Sequence, residues 1–276
     1  MKETEIKKSV RERYAGIAKA GSSCCNTKSP CCSSTTSARA ISKRIGYTEE
    51  ELNTVPEGAN LGLGCGNPVA LASLKKGETV LDLGAGAGFD CFLAADRVGK
   101  TGRIIGVDMT PEMIEKAREN AAKGNYTNVE FRLGEIENLP AADNAVDVII
   151  SNCVINLSPD KRRVFKEAFR VLKPSGRIMV SDIVLLKELP DIIRNSVQAY
   201  VGCIAGAMLK DKYLGVIEAA GFQDVRVIDE TAFPTDAIAN DPKAQAVIKK
   251  ARIPRAKIEA AANSVLSVKV RAIKPK

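Results

Sequence analysis

The chain has 276 residues, 45% of them hydrophobic, which suits one α/β domain with insertions and is ample for a sizeable core. It contains no His and no Trp, so Ser-His and Cys-His machinery is excluded and acid-base chemistry falls to carboxylates, Tyr, Lys or thiols. The formal charge of +8 is concentrated in Pro242 to Lys276, with ten Lys or Arg against one Glu; that segment has no aromatic residues to stack on bases, so it reads as a solvated face rather than a nucleic-acid surface.

In chain order, residues 1–20 read as a charged amphipathic helix. There is no apolar leader and no run long enough to span a bilayer, so a cytoplasmic protein without a membrane partner is expected. GSSCCNTKSPCCSSTTS then reads as a loop. Its Cys24, Cys25, Cys31 and Cys32 form two vicinal pairs, unlike the C-x-x-C knuckle of structural zinc sites. Soft-metal capture or redox cycling and a cysteine-rich tail with no single role both fit. In a reducing compartment the eight cysteines are expected as thiols rather than a disulfide framework. Further on, in GLGCGNPVALASLKKG, Asn67 is a good N-cap and Pro68 a first helical residue, predicting a helix through Leu74. Cys65 stands just before it, where the helix dipole favours a thiolate.

Thr79 to Asp90, TVLDLGAGAGFD, joins a buried apolar strand to a turn with glycine at every second position and then a helix. Gly84, Gly86 and Gly88 allow positive φ and let a ligand lie against the backbone at a helix N-terminus. The dinucleotide fingerprint G-x-G-x-x-G is not met, which counts against NAD. Acidic-x-G-x-G-x-G, with Asp82 as its acidic member, resembles the nucleotide-binding motif of class I S-adenosylmethionine methyltransferases. Arg103 to Asp108 is a second strand ending in a carboxylate; Asp108 is placed either to bind vicinal ribose hydroxyls or to cap the helix that follows.

Val129 to Leu133 reads as strand three, closed by Gly134, Glu135 and Ile136, with Glu135 either at an adenine site or an ordinary loop charge. Asp147 to Ser151 is strand four, running into Asn152 and Cys153 at its carboxyl end, the side of an open α/β sheet where ligands bind. Cys153 is read either as a residue of the reacting site or as a small apolar filler. A helix from Pro159 through Val171 and a fifth strand at RIMVSDIV follow. Leu189 to Leu209 reads as a helical insertion that would cover a substrate, with Cys203 inside it either functional or simply core. Phe222 to Ile228 and Val265 to Ile273 are the last two strands, and Cys91, within the first helix of the fold, is expected to be structural.

GLGCGNP, VLDLGAGAGFDCFLAA, IGVDMTPEMIEKARE, FRLGEIENLP, SNCVINLSPDKRRVF and YVGCIAGA together resemble the arsenite methyltransferases, over about Gly62 to Phe222. The resemblance implies an α/β Rossmann-like doubly wound sheet of class I methyltransferases, with a helical insertion after strand five and a C-terminal strand pair. The chain is expected to divide into an N-terminal helix and cysteine-rich flexible segment at 1–60, a methyltransferase domain at 61–230 with a substrate-covering helical insertion at about 187–210, and a basic region at 231–276 ending in the last strand. The resemblance implies methyl transfer to arsenic for detoxification, with Cys65, Cys153 and Cys203 binding trivalent arsenic, presented free or as a thiol conjugate. It places Asp82, Gly84, Gly86, Gly88, Asp108, Met109, Glu135, Ile136 and Asn152 at S-adenosylmethionine, and implies a thiol reductant such as thioredoxin or glutathione. In that family an upstream cysteine pairs with the one in GLGCGNP, and four candidates stand upstream here.

Overall fold

The computed structural model describes residues 3–20, 38–189, 194, 200, 203–232 and 263–276. The tail cysteines, most of the segment between Leu189 and Cys203, and most of the basic stretch from Pro242 lie outside these residues. No helix among the described residues is long and apolar enough to cross a membrane.

The strands form one sheet. Strands β1 (Thr79–Leu83), β2 (Arg103–Asp108), β3 (Val129–Leu133), β4 (Val146–Asn152), β5 (Leu172–Leu185), β6 (Met208–Leu209), β7 (Gln223–Ala232) and β8 (Val265–Ile273) are arranged in the order β3-β2-β1-β4-β5-β8-β7, with β6 on β5. The first five pair in parallel, whereas β8 is antiparallel to β5 and β7 antiparallel to β8. Order reverses between β1 and β4, so the crevice at their carboxyl ends is the place where this topology leaves room for a ligand.

The central strands β1, β2 and β4 are mostly apolar because both their faces are covered. Successive residues alternate between two cores. Val80, Ile104, Val148, Ile150 and Met179 join the core under helices α5 (Phe89–Val98) and α6 (Pro111–Lys123). Leu81, Ile105, Ile149, Ile178 and Val180 join the core under α7 (Lys161–Val171) and α8 (Lys210–Ala219). Ile149 and Ile150 are both fully buried, and truncating either to Ala would remove about 2–5 kcal/mol from opposite cores.

Among the described residues, four further helices precede the sheet: α1 (Glu3–Ala20), α2 (Ala38–Arg44), α3 (Glu49–Thr54) and α4 (Pro68–Leu71). Asn67 does cap α4, its Oδ1 accepting from Ala70 N at 3.0 Å. The helix stops after one turn rather than reaching Leu74. The Arg177 guanidinium, on β5, takes the carbonyls of Ala72 and Ser73 at 2.8 Å each, and Ser73 turns to φ 48. A tertiary contact thus ends the helix where local propensity would have continued it. Likewise α7 begins at Lys161 instead of Pro159, because the Asp160 carboxylate caps Arg163 N at 3.0 Å.

Candidate active site

The glycine turn between β1 and α5 is held from below by Val107, whose carbonyl accepts from Gly84 N at 2.8 Å and Ala85 N at 2.9 Å. Gly84 and Gly86 take φ of 69 and 52. A Cβ on Gly84 would lie 2.3 Å from Val154, whereas one on Gly86 would meet nothing within 4 Å. Gly86 therefore presents bare backbone to an open cleft, the surface on which a ligand can lie close. Gly88 serves otherwise: its missing Cβ makes room for Phe92 and Phe131, and it does not line the cleft.

Asp108 reaches across from β2. Its Oδ2 accepts from Gly86 N at 3.0 Å and its Oδ1 from Thr110 N at 2.8 Å, so one carboxylate braces both the glycine turn and the entry to α6. Burial pushes its carboxyl above the ordinary range. The cap residue of α6 is Thr110. The cleft, about 1070 Å³ of empty space counting its mouth, is lined by Asp82, Gly84, Gly86, Asp108, Met109 and Ile136, and at its other end by Asn152 and Cys153. It is large enough to take a drug-sized ligand. Glu135 is not part of the lining and pairs with Lys7 of α1 at 2.8 Å. The carboxylate that does line that end is Glu137, 4% exposed, which accepts from Ser158 Oγ at 2.7 Å. Lys7, Val10 and Tyr14 of α1 complete that wall.

Asn152, at the tip of β4, ties three segments together. Its Oδ1 accepts from Cys65 N at 2.9 Å, and its Nδ2 donates to Gly66 O, Tyr47 Oη and Asp90 Oδ2 at 2.8, 2.8 and 3.0 Å. A Cβ on Gly64 would sit 2.6 Å from the Asn152 amide, so the glycines around Cys65 let that loop close onto β4. Tyr47 in turn donates to Asp90 Oδ1 at 2.6 Å. Burial raises Asp90 to about 6, with Tyr47 and Asn152 opposing the shift. Burial, then Asp90, also pushes Asp82 well up, and Cys91 Sγ donates to its Oδ2 at 3.2 Å. Tyr47, Asp90 and Lys7 carry no motif in the sequence, although Asp90 closes the glycine stretch and could have been suspected there.

The three singled-out cysteines meet. Cys65, Cys153 and Cys203 are 5%, 6% and 5% exposed and share one apolar cluster with Val10, Leu157, Ile183 and Leu185. Cys203 Sγ donates to Cys153 O at 2.9 Å, and Cys65 Sγ to Ser181 O at 3.5 Å. The Cys153 thiol is pushed well up by hydrogen bonding with Cys203 and Cys65 and by burial. Tyr14 covers the group, its phenol raised by burial and then by Cys203 and Cys153. Cys153 and Cys203 hold φ of 61 and 66, unusual for residues with a side chain. Such strain persists only where surrounding structure imposes it, and it gathers at functional sites. Cys203 thus stands in a turn, not on an apolar helical face, because its N–H is drawn back to Tyr200 O at 2.9 Å. Among the described residues no three His, Cys, Asp or Glu are already spaced to hold a metal ion; the thiols pack on backbone carbonyls and on one another. Cys91 is fully buried in the core under α5, apart from this group.

Residues 74–221 match the profile of a methyltransferase domain. The chain is 51% identical over 242 residues to an arsenite methyltransferase of Halobacterium salinarum, covering 84% of this chain and 62% of that protein. It is 33% identical over 238 residues to the arsenite methyltransferase of Homo sapiens, covering 83% and 61%. The crystal structure of an arsenic(III) S-adenosylmethionine methyltransferase from Chlamydomonas reinhardtii superposes with a TM-score of 0.64 at 32% identity, covering 86% of this chain and 73% of that one. The chain therefore spans about three-fifths of the length of these two curated relatives.

Proposed function

Since this chain belongs to the class I S-adenosylmethionine-dependent methyltransferases and is closely related to the arsenite methyltransferases among them, we propose that it methylates trivalent arsenic held on cysteine sulfur. The observation that supports this reading is the gathering of Cys65, Cys153 and Cys203 in one apolar pocket, with Cys153 also lining the cleft beside the glycine turn. Soft thiolates select a thiophilic metalloid over hard cations.

The residues of the cleft fit the methyl donor: Gly86 offers open backbone, Asp108 a braced carboxylate for vicinal hydroxyls, and Met109 and Ile136 an apolar lining. S-adenosylmethionine supplies an electrophilic methyl group on a cationic sulfur. Capture of arsenite needs no histidine. Each thiol proton leaves with an arsenic-bound hydroxide as water while an As–S bond forms, so burial of neutral thiols is compatible with binding. The arsenic lone pair is the nucleophile toward the methyl carbon, and the electrons of the broken C–S bond stay with the donor sulfur. No general base is required, and the protein's part is to orient arsenic and exclude water. Arsenic becomes pentavalent, so turnover calls for a thiol reductant such as thioredoxin or glutathione.

Incubation of the chain with arsenite, S-adenosylmethionine and glutathione, followed by arsenic speciation, tests the reading. Methylated arsenicals dependent on all three components are expected. Cofactor binding without any methylarsenic product would point instead to a small organic methyl acceptor.

A further inference from the structure

The two cysteines with left-handed backbones are referenced to one short turn. Immediately after Cys153 the chain forms a 3-10 turn, Ile155–Leu157. The segment carrying Cys203 rests on that turn from both sides. Tyr200, three residues before Cys203, donates to Leu157 O at 3.5 Å. Gly206, three residues after it, packs so closely that a Cβ there would lie 2.0 Å from Asn156 O. Lys161 Nζ also reaches the turn, at 3.5 Å from Asn156 O and 3.0 Å from Ser158 O.

The turn itself is pinned by a buried polar network outside the cleft. Asn156, fully buried, donates through Nδ2 to Asp182 Oδ1 at 2.8 Å and to Ile183 O at 2.6 Å. Asp182 Oδ1 also accepts from Ile183 N at 2.9 Å, and its Oδ2 from Tyr213 Oη of α8 at 3.1 Å. Asn156 Oδ1 finds no partner among the described residues. A buried amide with one side unserved is a poor device for stability alone, and an apolar side chain would fill the space more favourably. Its donors, by contrast, fix direction, and rules of local stability are broken mostly where position matters.

Building on the arsenic reading above, we infer that Asn156, Asp182 and Tyr213 are positioning residues that set the Cys153 and Cys203 sulfurs at the separation one arsenic atom can bridge. Gly206 is the fourth member, because only a residue without Cβ lets the Cys203 segment seat on the turn. None of the four contributes a ligand. Their effect is confined to how many sulfurs reach arsenic.

X-ray absorption at the arsenic edge, on the full chain with one equivalent of arsenite, reads this directly, alongside calorimetric S-adenosylmethionine affinity. The wild type should show three sulfur neighbours. Asp182→Ala, which removes the acceptor of the Asn156 amide, and Gly206→Ala should each show two sulfurs and an oxygen. Cofactor affinity should stay within about twofold, the sites being separate, and arsenite turnover should fall about 100-fold. Tyr213→Phe, which drops only the hydroxyl on Asp182, should give a mixture and decides the matter if either other variant no longer binds cofactor. Three sulfurs in every cofactor-binding variant would overturn the inference alone. A wild type with no sulfur around arsenic would overturn the functional reading and the inference together.

Discussion

The two ends of the cleft are built on opposite principles. The glycine-turn end, where we place the cofactor, comes from one contiguous stretch, Thr79 to Asp90, braced by a single carboxylate from the next strand. It is polar, with Asp82, Asp90 and Asp108 around exposed backbone. The thiol end is assembled from a loop before α4, the tip of β4 and a turn before β6, and its sulfurs lie in a mostly apolar cluster. A contiguous site is specified by backbone need at each position, a dispersed one by topology. The two ends should therefore fail separately when mutated.

The largest separation is expected from Cys203→Ser. A hydroxyl is a hard ligand that ionises weakly and cannot replace a thiolate. Methylation of arsenite should be abolished, while calorimetry finds S-adenosylmethionine affinity unchanged. Asp108→Ala should do the converse. It removes the brace on Gly86 and Thr110 as well as the carboxylate offered to a ribose, and charge-assisted bonds are worth about 1.5–3 kcal/mol each. Cofactor affinity should drop about 10- to 100-fold with arsenite binding nearly unaltered; unaltered cofactor affinity in a folded variant would remove Asp108 from the site.

Cys65→Ser sharpens the comparison within the thiol end. Arsenic that already carries a methyl group needs only two sulfurs, so this variant should lose arsenite methylation yet retain much of its activity on monomethylated arsenic. Equal loss on both substrates would mean that Cys65 belongs to the essential pair.

The smallest effect is on stability, and it engages both ends. Asp90 is raised to about 6 and Asp182 to about 7, each chiefly by burial. Carboxyls whose folded pKa lies above the unfolded value contribute stability that is full below the unfolded pKa of about 4 and lost as pH rises through the folded value. The chain has no histidine to titrate across the same range. Lowering pH from about 8 to 5.5 should therefore stabilise the fold by about 2–3 kcal/mol, seen as a melting temperature several degrees higher. A flat or falling profile over that range would contradict the burial of these carboxyls.

Much of the glycine-turn end is legible in the amino-acid order, because positive φ favours glycine and a strand tip favours a carboxylate. Gly84, Gly86 and Asp108 stand where their spacing places them. The central strands are legible because burial on two faces leaves an apolar run, and the last two because apolar and polar residues alternate along them. Roles requiring a distant partner are not. Glu135 is engaged by Lys7, more than a hundred residues away in sequence, and Asn152 is occupied in holding Cys65 and Asp90. Helix α4 is cut short by Arg177 from β5. That Cys65, Cys153 and Cys203 share a pocket follows only from resemblance to a family, since spacing alone does not bring a pre-helix loop to a turn beside β6.

Measuring cofactor affinity and arsenite methylation together, on the same preparations of Cys153→Ser and Asp108→Ala, tests the two-ended account most directly. Cys153→Ser should bind S-adenosylmethionine like the wild type and release no methylated arsenic at any cofactor concentration. Asp108→Ala should recover methylation as cofactor is raised. Normal arsenite methylation by Cys153→Ser, or loss of its cofactor binding in a folded chain, would contradict the account.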